Sequence, residues 1–334
     1  MGNPGVSELH KFLFDGLPVR GAIVRLTDAW TEVLRRRAGN SETGAYAPEV
    51  SELLGEMLAA GVLLHSHIKF DGALVLQVQG DGPVKLAVAE VGSDLTLRAT
   101  ASVQGGVAPG APLSELVNLG GGGRCAITLD PRQRQPGQSP YQGIVPLSGA
   151  GGERFERLSV ALQFYMLQSE QLDATLVLAA DDQVAAGLLV QRMPMKGEGN
   201  LAGAAQLAPE QDRLGHNEDY HRIAHLAASL TRQELLTLDV DTVLHRLFWQ
   251  ERLLRFAPQR GETGPRFACS CTRERVARML QGLGQQEVQS IVQERGNVEV
   301  GCEYCGQQYR FDAVDAARLF TAPGQQPPVS SAVQ

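Results

Sequence analysis

Four cysteines toward the C-terminal end have the types and spacing most able to do chemistry. Cys269-Ser-Cys271 is followed about thirty residues later by Cys302-Glu-Tyr-Cys305, within the runs FACSCTRERVARML and NVEVGCEYCGQQYRF. A soft d¹⁰ ion such as Zn²⁺ takes four ligands at the corners of a tetrahedron, and thiolate is among its preferred donors. Two close-spaced pairs supply two edges of that tetrahedron if the intervening segment folds back on itself. The second pair is followed at once by Gly306. That is the arrangement of a zinc knuckle, whose tight turn faces backbone N–H groups toward the sulfurs. The first pair has one intervening residue, fewer than the two to four of ordinary zinc ribbons.

Other residues were weighed for chemistry and set aside. Cys125, the fifth cysteine, sits mid-strand between apolar neighbours and reads as a buried, inert thiol. His65 and His67 stand at strand spacing, but no thiol or carboxylate is close in sequence to complete a metal site. His221 and His225 share a helix face, yet Arg222 stands where the zincin pattern needs Glu; His216 and His245 lie in the same stretch. Gly120 to Gly123 leads into a strand with no Lys behind it, so a loop is expected and not a phosphate cradle. Arg35 to Arg37 close a helix, where cations complement the dipole. No nucleophile, base and orienting acid stand at recognisable spacing, which points away from an enzyme.

The elements that must position the cysteines follow from periodicity. An apolar strand region opens the chain, followed by helices from Thr27 or Asp28 and from Pro48. From 70 to 104 the period becomes two, as in an antiparallel meander with a turn at Gly80-Asp81-Gly82-Pro83. A strand at Tyr141–Leu147, a helix over 153–168 and a hairpin over 175–193 complete an α+β core of antiparallel strands and packed helices. Residues 194–212, rich in Gly, Ala and Pro, read as a hinge, and 213–257 as short helices with a capping box at Thr231 and Glu234. Helices this short need an apolar surface to rest on. The cysteine module carries two helices, two small strands flanking Cys302 and Cys305, and a closing helix over 312–320. The expected division is a core of 1–195, a hinge and helical linker of 196–265, a small zinc-binding domain of 266–322 and a disordered tail of 323–334.

Composition narrows the function classes. Hydrophobic residues at 43% and charged residues at 20% describe an ordinary soluble protein, and a net charge of −7 disfavours a generic nucleic-acid binder. No apolar run has the length of a membrane span, and the first residues lack a signal-peptide pattern. A cytoplasmic, reducing location is therefore expected, where paired thiols bind metal or act in redox chemistry more often than they form structural disulfides.

The cysteine pattern, with TRER after the first pair and GCEYCGQQYRF around the second, resembles the redox-regulated 33 kDa chaperonin family. Val19-Arg20-Gly21, Lys69-Phe70-Asp71-Gly72, Gln77 to Pro83, Tyr141-Gln142-Gly143, Ser169 to Leu172 and Glu234 to Leu238 extend the likeness, in order, over roughly residues 8–320. The resemblance implies a cytoplasmic holdase that binds unfolding client proteins after oxidation. Charge and hydropathy point to no nucleic-acid or membrane partner, and the oligomeric state stays open, with a homodimer in the oxidised form as one option. The resemblance also implies one Zn²⁺ held in the reduced form by Cys269, Cys271, Cys302 and Cys305, and Cys269–Cys271 and Cys302–Cys305 bridges on oxidation. The Gly-rich stretch at 119–123 and the longer hinge and tail depart from the pattern and bear on boundaries, not on the chemistry.

The residues support that mechanism on their own terms. Four thiolates on one Zn²⁺ leave about −2 of charge, which Arg273, Arg275 and Arg278 are placed to offset. A C-x-C bridge encloses one residue, so it is strained and easily reduced. Three readings stand beside it: a nucleic-acid-binding zinc ribbon, a thiol-disulfide oxidoreductase and a purely structural zinc site. Residues 266–322 carry seven Arg or Lys and seven Asp or Glu, so no basic excess serves the first. The C-x-x-C falls between strands and not at a helix N-terminus, which weakens the second. Ligand identity alone leaves the third open.

Overall fold

The computed structural model describes residues 5–40, 43–133, 139–193 and 217–320. The expected hinge at 194–212, His216 and the tail from 323 lie outside them. The chain forms two compact units, the first ending at Ala268 and the second beginning at Cys269.

The first unit is built on two antiparallel sheets. One contains β1 (Glu8–Phe14), β2 (Val19–Leu26), β9 (Ala185–Arg192) and β8 (Ala174–Ala180), in that order, with β10 (Leu253–Arg255) and β11 (Gln259–Arg260) both paired to β1. The other runs β5 (Thr96–Val103), β4 (Val84–Gly92), β3 (Gly72–Gln79), β6 (Arg124–Pro131) and β7 (Tyr141–Pro146). Its far edge is β12 (Arg266–Phe267), which pairs with β5 in parallel. Helices α1 (Asp28–Ala38), α2 (Pro48–Ser66), α3 (Leu113–Val117) and α4 (Leu158–Gln168) accompany these sheets. Helix α2 is apolar around most of its circumference and packs against both sheets.

The first sheet is apolar on both faces, which its period of two makes explicit. Leu9, Ala22, Val24, Leu26 and Leu189 turn toward α2 and the main core. Phe12, Phe14, Val19, Ile23, Leu188 and Val190 turn the other way and form a second core. That second face is covered by α5 (Glu218–Ala228), α6 (Arg232–Thr237) and α7 (Val240–Phe248). Phe248 of α7 meets Phe14 edge-on at 5.0 Å and Phe12 at 6.1 Å between ring centroids. Gly21, directly across from Phe12, makes room for that ring: a Cβ there would lie 2.4 Å from it.

Several expectations are corrected here. The helix expected over 153–168 starts at Leu158, because Phe155 donates its N–H to Leu147 and Arg154 bridges Ser148. The helical stretch expected to reach 257 ends at Phe248; beyond it β10 and β11 extend the sheet along β1, as the apolar period of 3.6 lapses. Helices α5 to α7 belong to the first unit, and so do Arg266 and Phe267. The capping box is present as expected, Thr231 and Glu234 each accepting the other's backbone N–H. Arg36 and Arg37 lie over the rings of Phe267 and Tyr46, and Arg35 pairs with Glu32.

Candidate metal centre

The second unit is small. Its core consists of Leu280, Val288, Val298, Phe311 and Ala316, with a rim of half-buried apolar side chains. A domain of this size buries too little apolar surface to be stable without a metal or another covalent staple. Its elements are α8 (Arg273–Leu283), α9 (Gln285–Arg295), the hairpin of β13 (Asn297–Gly301) and β14 (Gln308–Asp312), and α10 (Ala313–Leu319).

Local chemistry fixes each cysteine pair. Thr272 caps α8, its hydroxyl accepting from the Arg275 N–H, so the helix begins directly after Cys271. Arg275 reaches back and donates to the Ser270 carbonyl at 2.9 Å, clamping the C-x-C turn. The second pair sits in the loop that joins β13 to β14. There Cys302 N–H donates to the Gln307 carbonyl at 2.9 Å, and Gly306 N–H to the Cys302 carbonyl at 2.8 Å. Gly306 has φ of +71°, the left-handed conformation that the knuckle requires and that a side chain disfavours. The backbone N–H groups of Tyr304 and Cys305 face the Cys302 sulfur, and that of Gln307 faces Cys305.

The four expected ligands converge: their Sγ atoms all lie within 4.8 Å of one another. Cys269 and Cys302 are 3.7 Å apart, and Cys271 and Cys305 3.3 Å. A tetrahedral Zn–S₄ centre with bonds of about 2.3 Å has S···S edges of about 3.8 Å, so the donor set fits a single zinc ion. Both quoted contacts cross between the two motifs, and all five cysteines are free thiols. Burial pushes the thiols of Cys302 and Cys305 up, against the pull of the backbone N–H groups. A cation is what would hold four sulfurs here as thiolates.

Two features near the sulfurs were not foreseen. The Tyr309 hydroxyl donates to Cys271 Sγ at 3.2 Å, and that bond raises the phenol well above its ordinary range. Of the three arginines expected to offset the thiolate charge, only Arg275 bonds to the cysteine turn. Arg273 is committed to Asp315 at 2.6 Å and lies over the Phe311 ring, and Arg278 projects from the exposed side of α8 beside Glu274. The tyrosine's signal was its place in β14 just beyond the C-x-x-C loop, where alternation turns it to one face of the hairpin.

The remaining candidates do not form sites. Cys125 is fully buried in β6, and burial pushes its thiol up to about 12. His65 bonds to the Gly72 carbonyl. In the glycine loop, Gly120 N–H is taken by Asp81 and Gly123 N–H by Asn118. His221 and His225 are exposed on α5. Among the described residues, the four cysteines are the one group of His, Cys, Asp or Glu placed to hold a metal ion.

An antiparallel α+β body followed by a compact four-cysteine unit defines the class of protein in hand. The family model described as "Hsp33 protein" matches residues 7–312, and the chain belongs to that family. The 33 kDa chaperonin of Chromobacterium violaceum is 44% identical over 313 residues, covering 94% of this chain and 93% of the relative. That of Nitrosococcus oceani is 38% identical over 323 residues, covering 97% of each. The crystal structure of the 33 kDa chaperonin (heat shock protein 33 homolog) from Thermotoga maritima superposes with a TM-score of 0.69 at 21% identity. It covers 94% of this chain and 97% of that one, and shows the shared fold. These relatives support a chaperone function, and the family is not one of enzymes. No helix among the described residues is long and apolar enough to cross a membrane.

Proposed function

We propose that the chain is a redox-regulated, ATP-independent holdase of the cytoplasm that binds unfolding proteins under oxidative stress. The observation that carries this reading is four thiols within 4.8 Å of one another in a unit whose core is only five buried side chains. Cys269, Cys271, Cys302 and Cys305 would hold one Zn²⁺ in the reduced form. When bound, the metal would supply folding free energy on the order of 10–16 kcal/mol.

Oxidation dismantles that arrangement. Two thiols give two electrons and two protons to one peroxide, which leaves as two waters while an S–S bond forms. Two such steps join Cys269 to Cys271 and Cys302 to Cys305, and the metal loses its ligands. Cys305 is buried and the other three are half-buried, so reagent reaches the cluster from the side of Cys269, Cys271 and Cys302. The second unit then unfolds for want of a core.

The first unit responds along the chain. One residue separates Cys269 from β12, and β12, β11 and β10 are edge strands of two or three residues leading back to α7. Elements this short have little stability of their own. Their loss frees α5 to α7, whose helices of 11, 6 and 9 residues depend on the sheet they cover. The apolar face bearing Phe12, Phe14, Ile23 and Leu188 becomes available to clients, and in the oxidised state to a second copy of the chain. The test is light scattering by a heat-unfolding client. Suppression by the peroxide-treated protein and not by the reduced one supports the proposal, whereas equal suppression reduces the cysteine unit to a structural staple.

A further inference from the structure

A cavity of about 130 Å³ in the first unit is lined from both sheets, by β2 and β9 on one side and by β3, β6 and β7 on the other. Helix α4 and the end of α2 complete its wall. Most of that wall is apolar, with Leu74, Ile127, Leu129, Met166 and Leu189. Arg20 interrupts it. Period two puts Arg20 on the face of β2 that carries Ala22, Val24 and Leu26 into the main core, and its cross-strand neighbour Gln191 on the face of β9 that carries Leu189. A cation at a core-facing position is unusual unless it is paired.

Arg20 is not paired with an acid. Its Nε and Nη2 donate to Gln191 Oε1 at 2.8 and 2.5 Å, and Gln191 is 1% exposed. Among the described residues no carboxylate forms an ion pair with Arg20; burial lowers its value, and no negative charge offsets that. The one carboxylate lining the cavity, Glu170, accepts from the Tyr141 and Tyr165 hydroxyls at 3.1 and 2.5 Å. His67 lines the cavity near enough to Arg20 to feel its charge, and its Nδ1 is buried with no hydrogen-bond partner. A half-buried guanidinium without a counterion and an unsatisfied ring nitrogen are both costly unless another group meets them.

We infer that this cavity binds a small apolar monocarboxylate, its carboxylate seated on the Arg20 guanidinium beside His67 and its hydrocarbon body against the apolar wall. An anion supplies a counterion to the guanidinium and, with the ring proton on Nδ1, an acceptor to His67. A cavity of this order, lined by apolar side chains, holds a body about the size of a benzene ring. Ile68 and Tyr141, 38% and 53% exposed, stand where the cavity meets solvent. Arg20, Tyr141, Glu170 and Leu172 come from three of the stretches that extend the family likeness beyond the cysteines, and the proposed redox switch uses none of them. The site does not rest on that switch, so each stands or falls without the other.

Calorimetric titration of benzoate into the reduced full chain tests the site, with the ring ¹⁵N resonances of His67 followed in parallel. Saturable binding is expected, weakened by on the order of tenfold or more in Arg20→Met. Benzylamine, with the same ring and the opposite charge, should bind weaker by a similar factor, and Arg20→Lys should lose less affinity than Arg20→Met. Circular dichroism and the urea midpoint verify the fold of each variant. If Arg20→Met does not fold, the wild type decides: the His67 resonances should move along the same saturation curve as the heat. No saturable heat up to about 10 mM, equal affinity for benzoate and benzylamine, unchanged affinity in folded Arg20→Met, or stationary His67 resonances overturns the site.

Discussion

The guanidinium of Arg25, on β2, donates to the carbonyl of Leu236, on α6, at 2.7 Å. The same side chain donates to the Leu235 and Leu238 carbonyls at 3.1 and 3.2 Å. One cation thus serves three carbonyls at the C-terminal end of a six-residue helix, where such groups lack intrahelical partners and the dipole favours positive charge. It is a polar clamp between the core sheet and the helices that the proposed function releases.

Replacing Arg25 by Met should loosen that clamp and leave the cysteine unit intact. Three carbonyls lose a charged donor, which should destabilise docking of α5 to α7 by about 2–4 kcal/mol. Amide exchange over 218–248 should accelerate in the reduced protein at unchanged zinc content. Exchange equal to wild type would show that the clamp carries no docking energy.

A charge on the buried face should go further. Leu247 of α7 is 3% exposed, within the core formed with Phe12 and Phe14. Leu247→Glu buries a carboxylate there, at a cost of about 4 kcal/mol or more, and should undock the helices without touching the thiols. The reduced variant should already suppress client aggregation in part. If it stays folded, zinc-loaded and inactive, the switch acts through the cysteine unit alone.

The two classes of cysteine should separate cleanly. Cys125→Ser should leave zinc at one per chain, since that thiol is buried in β6 and held protonated. Cys305→Ser should abolish tight zinc binding and unfold the second unit, because its buried sulfur would be one corner of the proposed tetrahedron. A halving of zinc in Cys125→Ser would refute the ligand assignment.

Acid should weaken the first unit through His67. Burial, then the charges of Arg20 and Lys11, depress its folded-state value to about 3 from an ordinary 6.5. Its Nδ1 is buried with no hydrogen-bond partner. The unfolded chain therefore binds more protons between these values, so stability should fall as pH drops below about 6.5 toward 3. His67→Gln should flatten the pH dependence of the urea midpoint over that window, read from the buried Trp30. An unchanged slope would place the acid sensitivity elsewhere.

The four-cysteine cluster was legible because its spacing is local. Two short spacings and a following glycine are visible in a few residues of chain, and period-two alternation likewise exposed the meander. What escaped the sequence lies in long-range pairing. Strands β10 to β12 have two or three residues each, too few to show a period, and their partners are β1 and β5. The Arg25 clamp joins residues 211 apart. The uninterrupted apolar run of β9 was a sign that the first sheet is covered on both faces, and it supplies the surface that the short linker helices were expected to need.

The most direct test of the account follows zinc release and amide exchange in one sample during peroxide treatment. As one zinc per chain appears in solution, exchange should accelerate over 218–248 and over 269–320, while the strands of 72–103 stay protected. Loss of zinc with undiminished protection over 218–248 would contradict the claim that thiol oxidation frees the helices covering the apolar sheet.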